Sequence, residues 1–183
     1  MQINIGKALK KIRKIAVFLI SMVGGLGMHT VGATQPSDAR LNAAAEYFRD
    51  ICLAGSGDLT AALQAFDASD DFGNPRISKA GALTYGSFTG PDQINGSVKI
   101  GFDEIADHCS VIVKNGDDPM RTAQAIALLL ADGDDGAVGS QPGFGDYPQG
   151  GFVIEEQSGA IFVAPLGTGA SADIVHINYF PAN

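Results

Sequence analysis

Two cysteines, and only two, constrain this chain more than any other feature: Cys52 in "EYFRDICLAG" and Cys109 in "HCSVIV". Cys52 closes the apolar stripe of a helix predicted over residues 38–53, on which Leu41, Ala44, Ala45, Phe48 and Ile51 recur at helical spacing. Cys109 alternates with Val111 and Val113 on a predicted strand, so both sulfurs can point into one helix–sheet interface. In an oxidising compartment such a pair joins. Closing the 57-residue interval stabilises the fold by about 4 kcal/mol on the loop-entropy estimate. The rival reading, a catalytic thiol with His108 as base, fails on geometry, because adjacent strand residues face opposite sides of a sheet.

The N-terminus supplies the oxidising address. Residues 1–14 hold Lys7, Lys10, Lys11, Arg13 and Lys14 and no acid, an apolar run follows over 15–28, and Val31-Gly32-Ala33 is a small-residue cleavage site. This order describes a signal peptide over 1–33, cut after Ala33, and predicts a periplasmic or secreted chain starting near Thr34. The apolar run is too short and too glycine-broken for the roughly 20 residues that span a bilayer, so no stable membrane anchor is expected. No cysteine follows the run directly, which argues against a lipid anchor.

Cleavage changes the charge. The leader carries five of the 12 basic residues and none of the 20 acids, which leaves a net charge of −13 on 150 residues. A surface this acidic repels phosphate backbones and anionic headgroups, so nucleic acid is excluded as a partner. The partner that suits it is a cationic protein, met through Asp132, Asp134, Asp135 and Asp146 of one acidic loop. Solubility alone is the plainer explanation of the acidity. The length fits one domain over 34–183 with one core, and no repeat or linker divides it.

Periodicity then orders the elements. After the first helix, Asp58 caps a second over 59–66, and the two form a hairpin. Residues 67–96 are turn-rich around one candidate strand, 80–88. Strands follow over 97–104 and 108–115 and are expected to pair. Pro119 opens a helix that Gly133 stops. Residues 132–151 form a long Gly/Asp/Pro loop, and strands flank a turn at 157–159 before a last strand over 172–180. The expected fold is α+β: an antiparallel sheet covered on one face by a helical hairpin and one further helix.

"EYFRDICL", followed 57 residues on by "HCSVIV" and then by an Ala/Leu-rich helix, resembles a pattern in uncharacterised small exported proteins of Gram-negative bacteria. The resemblance spans about residues 40–180 of this sequence. It implies a secreted α+β domain and brings no activity with it.

Few residues suggest chemistry. His176, between Val175 and Ile177, could serve as a general base with Asp173 or Glu155 on a neighbouring strand; the plainer expectation is an exposed strand histidine. No G-x-S-x-G, H-E-x-x-H or S-x-x-K occurs. Two scattered histidines without a free thiol make no zinc site, and no metal or cofactor is expected. "DGDDG" (132–136) with Asp146 imitates a calcium loop, but the twelfth position is Gly143 where an EF-hand needs glutamate. A solvated loop is the better reading. Phe144 and Tyr147 either contact a ligand or fold back as a lid on the sheet. The composite expectation is a non-enzymatic binding or envelope-associated module. The alternative is an enzyme built on His176.

Overall fold

Capping aspartates start two of the described helices. The computed structural model describes residues 38–55, 57–102, 107–114, 118–167 and 173–182. The leader with its cleavage site, Ser37 of the first expected cap, Asp103, Glu104 and Asp117 lie outside them. Helix α1 (Asp38–Tyr47) runs directly into a π-helical turn, Phe48–Leu53, so the expected helix over 38–53 is present but widened in its last third. That turn buries Phe48, Ile51 and Cys52. Asp58 accepts the amide protons of Thr60 and Ala61 at 2.8 and 3.1 Å to begin α2 (Leu59–Ala68). These bonds satisfy two of the amides a helix start leaves open. Asp118 does the same for Arg121 at the start of α3 (Pro119–Leu130), where Pro119 costs no hydrogen bond. Two left-handed residues, Asp132 (φ 53°) and Gly133 (φ 82°), then end α3. Their amides donate back to Leu129 and Leu128, the paired bonds of a Schellman stop.

Eight strands form one fully antiparallel sheet: β1 (Gly73–Ala80), β2 (Leu83–Thr89), β3 (Ile94–Ile100), β4 (His108–Lys114), β5 (Val138–Gln141), β6 (Gly151–Glu156), β7 (Gly159–Pro165) and β8 (Ile174–Pro181). The order across the sheet is β1-β2-β3-β4-β8-β7-β6-β5. Two meanders thus meet where the last strand of each, β4 and β8, pairs with the other. The expected pairing of the strands near 97–104 and 108–115 is present as β3 with β4, with Val98 opposite Cys109. The first of these is shifted toward the N-terminus. Gly101 turns into the left-handed region (φ 79°), and Asp107 takes the amides of Gly101 and Phe102 at 2.8 and 2.7 Å, so the ladder stops at Ile100.

Two strands differ from the sequence expectation. β1 lies inside the stretch read as turns, and β5 lies inside the expected loop over 132–151. All eight residues of β1 are exposed, so no alternation of apolar and polar residues is imposed on it. β5 has four residues, too few to show a period.

The helices pack on one face, α2 over β2–β4 and α3 over β6–β8, with α1 against α3 and β4. Val98, Cys109, Val111, Val113, Val175, Ile177, Tyr179, Ile161 and Val163 fill that face and are almost wholly buried. Cys52 and Cys109 are joined by a disulfide with their Cα atoms 5.5 Å apart, the usual separation for such a bond. It ties the π-helical turn to β4, beside the seam between the two meanders.

Candidate functional site

The face away from the helices carries the unusual chemistry. Pairing register aligns Arg76, Ser87, Ser97, Ser110, Asn178 and Phe162 in one row across β1, β2, β3, β4, β8 and β7. A strand exposed on this side would show such polar residues at alternate positions. Yet Ser97, Ser110 and Asn178 are only 6%, 1% and 0% exposed. Part of the cover comes from the segment between β5 and β6. There Phe144 and Tyr147 form a small bridge and exchange backbone hydrogen bonds. Their rings lie against Phe162, with centroids 5.3 and 5.1 Å away, and Tyr147 also meets His176 edge-on.

Beneath this cover runs a chain of hydrogen bonds. Ser110 Oγ donates to Asn178 Oδ1 at 2.6 Å, and Asn178 Nδ2 donates to the Tyr147 hydroxyl at 3.2 Å. The Tyr147 hydroxyl lies 3.3 Å from His176 Nδ1. With the imidazole proton on Nε2, Nδ1 accepts the proton of that hydroxyl while the hydroxyl accepts from Asn178. Burial pushes His176 down to about 4, and the charges of His108 and Lys99 add to the effect while Asp146 opposes it. His176 is therefore neutral at pH 7, as this tautomer requires. Burial likewise raises Tyr147, against the hydrogen bond from Asn178.

The structure places the sequence-picked residues in three groups. Tyr147 and His176 meet in the network, and Phe144 sits at its rim, 48% exposed. His176 is part-buried under Tyr147, so the expectation of an exposed strand histidine is corrected: the segment that covers it is remote in sequence. The acids proposed to serve it lie elsewhere. Asp173 is 3.7 Å from Lys114 Nζ, and Glu155 shares its register row with Ala160 and Phe180. Phe180 is four residues along β8 from His176, or about 13 Å. The acidic loop is dispersed: Asp132 pairs with Arg49 of the π-helical turn at 2.8 Å, and Asp134 caps the turn Asp135–Ala137 through Gly136. The backbone carbonyl of Asp146 accepts from the Gly167 amide at 2.7 Å. Among the described residues no group of three His, Cys, Asp or Glu side chains is arranged to hold a metal ion. No described helix is long and apolar enough to cross a membrane.

Sequence reasoning missed Ser97, Ser110, Asn178, Arg76 and Tyr85. The signal was present in part, since Ser97 and Lys99 alternate with Val98 and Ile100. It becomes a site only once the register aligns the strands.

Beside the covered half the sheet stays open. A concavity of about 680 Å³ over β1–β3 is lined by Arg76, Tyr85, Ser87, Asn95, Ser97 and Ile112, among others. Comparison with protein-family models, with curated proteins and with solved structures finds no match.

Proposed function

We propose that the chain is an exported, disulfide-tied binding module that acts in the periplasm or outside the cell and presents its open sheet face to a ligand. One observation carries the reading: the groups most able to do chemistry are already satisfied by one another. Nδ1 of His176 is held by a phenol instead of a carboxylate, and both thiols are consumed in the disulfide. A general base works best with a pKa near the pH at which it operates, and a nucleophile needs a base beside it. The concavity over β1–β3, by contrast, leaves donors and acceptors facing outward. The basic-then-apolar leader and the disulfide support the exported setting.

The test exposes the purified chain to glycan, lipid and peptide fractions of the producing cell's envelope and reads retained and released material by mass spectrometry. A binding module retains a component unchanged, and His176→Gln retains it equally well. Turnover of a component that His176→Gln abolishes would establish the enzyme reading instead. Export is checked by N-terminal sequencing of the chain outside the cytoplasm, which should begin near Thr34.

A further inference from the structure

We infer that the concavity over β1–β3 is a binding site for an acidic saccharide, a hydroxyl-rich ring carrying one anionic group. The inference deepens the binding-module reading and depends on it. Three observations converge.

The first is charge. The chain that follows the leader has seven basic residues against 20 acids, yet strands β1–β4 carry Arg76, Lys79, Lys99 and Lys114 and no acid. Arg76 and Lys99 fall on the open face, at register positions that flank the concavity. A chain that repels anions nearly everywhere is attractive to one here, and guanidinium is the group that meets a carboxylate or sulfate through two bonds.

The second is an unsatisfied hydroxyl. The hydrogen-bond chain His176–Tyr147–Asn178–Ser110 ends at Ser110, and among the described residues its cross-strand neighbour Ser97 has no side-chain partner. Ser97 is 94% buried at the floor of the concavity. A hydroxyl hidden to that degree ordinarily has a partner, and a ligand hydroxyl seated on the floor would supply one.

The third is what the floor offers. The backbone groups of β2 are spent on both sides, in pairing with β1 and β3, and those of β3 in pairing with β2 and β4. A peptide seeking strand addition finds nothing there to bond. Recognition falls to side chains, in the cross-strand pairs Tyr85–Lys99, Ser87–Ser97 and Thr89–Asn95. Short hydroxyls and an amide suit sugar hydroxyls, and Tyr85, 37% exposed, supplies an aromatic surface for the C–H side of a ring.

The experiment titrates the purified chain, followed by amide NMR and calorimetry. The probes are short uronate oligomers (galacturonate, glucuronate, mannuronate), sulfated counterparts, neutral oligomers of equal length, inorganic sulfate and an oligoglutamate of equal charge. At least one carboxylated or sulfated oligomer should bind with shifts centred on β1–β3, and comparing these two arms identifies the anionic group. The neutral oligomer should bind about tenfold more weakly or worse, the loss of one charge-assisted pair. Arg76→Gln should reduce the acidic oligomer to the neutral level, and Ser97→Ala should weaken binding without lowering the melting temperature.

Equal binding of neutral oligomers overturns the assignment. So does equal binding of sulfate or oligoglutamate, or an absence of binding by every saccharide. If envelope components are retained while no saccharide binds, the site assignment fails and the module reading stands. If an acidic oligomer binds at β1–β3 and is then cleaved, the module reading fails and the site stands.

Discussion

The two halves of the sheet repeat one plan with opposite packing. Each is a helix capped by aspartate followed by a four-strand meander, α2 with β1–β4 and α3 with β5–β8. In the first half the helix brings the bulk. Phe66 sits over Gly96 and Leu63 over Gly86, so close that a Cβ at either glycine would lie 2.3 or 2.4 Å from the ring or methyl group. In the second half α3 brings small residues beside Ile126 and Leu130 to bulky strands. Ala123 and Ala127 of α3 lie in the same core as Ile154, Ile161 and Val163 of β6 and β7. Large against small fills the layer at interior density either way. The open faces differ more. The second half spends the segment around Phe144 and Tyr147 to cover its polar residues, whereas the first leaves Arg76 and Tyr85 exposed and Ser87 half-buried above the buried Ser97. A covered polar network is a structural device, and an uncovered one is available to a ligand. This contrast is why the site is assigned to the first half.

The largest way to disturb the comparison is to cut the tie at its seam. Replacing Cys52 and Cys109 with alanine should cost about 4 kcal/mol, or roughly 10 °C in melting temperature for a chain of this size. Thermal melts with and without reductant measure it. Both halves should loosen together, because β4 and β8 are neighbours, and hydrogen exchange reads this directly. Exchange that accelerates only in β1–β3 would show the halves to be independent.

Protonation of His176 should act on the covered half. His176 falls to about 4 in the folded chain from an ordinary value near 6.5. The unfolded chain therefore binds the extra proton first, and stability is complete above pH 6.5 and declines as the pH falls toward 4. The full loss attributable to this group is about 3 kcal/mol, taking 1.36 kcal/mol per pKa unit. Carboxylates titrate in the same range, so the measurement is the difference between the native chain and His176→Gln across pH 4–7. A difference that does not change with pH would mean that His176 is protonated normally.

A glycine tests the packing half of the contrast. Gly96→Ala places a methyl group against Phe66, which is stacked on Phe88 and edge-on to Phe72 and so cannot yield. Overpacking of this kind costs about 2 kcal/mol. Phe66→Leu in the same chain should recover part of it. Failure of that rescue in a denaturant melt would show that the glycine is needed for its backbone and not for space.

How much of this was legible in the sequence follows the same division. Helix α3 declared itself through Asp118, Pro119 and Gly133, all local signals. The disulfide was legible because only two cysteines exist and each lies on an apolar stripe. β1 was not, since Gly73, Asn74 and Pro75 read as a turn and both of its faces are exposed. The repeated plan left no repeated sequence, because the first half meets its helix with glycines, Gly86 and Gly96, where the second meets its helix with Ile154, Ile161 and Val163. The Tyr147–His176 contact joins residues 29 apart through a loop that carries no period. A register of eight strands is needed to bring Arg76, Ser97 and Asn178 into one row, and no local pattern encodes that.

The smallest effect separates two causes within the covered half. Tyr147→Phe keeps the ring over His176 and removes only the hydroxyl. Asn178, fully buried, then loses the acceptor for its amide, at a cost of about 1 kcal/mol. The neutral imidazole also loses its donor, which nudges His176 upward. Burial is the larger cause of its low value, and the phenyl ring preserves burial, so the midpoint should stay within about one unit of the native one. Tyr147→Ala removes the cover itself and should carry His176 back toward 6.5. Imidazole proton shifts followed by NMR from pH 3 to 8 distinguish the two variants. If Tyr147→Phe alone restores an ordinary value, the hydrogen bond and not the cover holds His176 neutral, and the halves differ by one hydroxyl instead of by a loop.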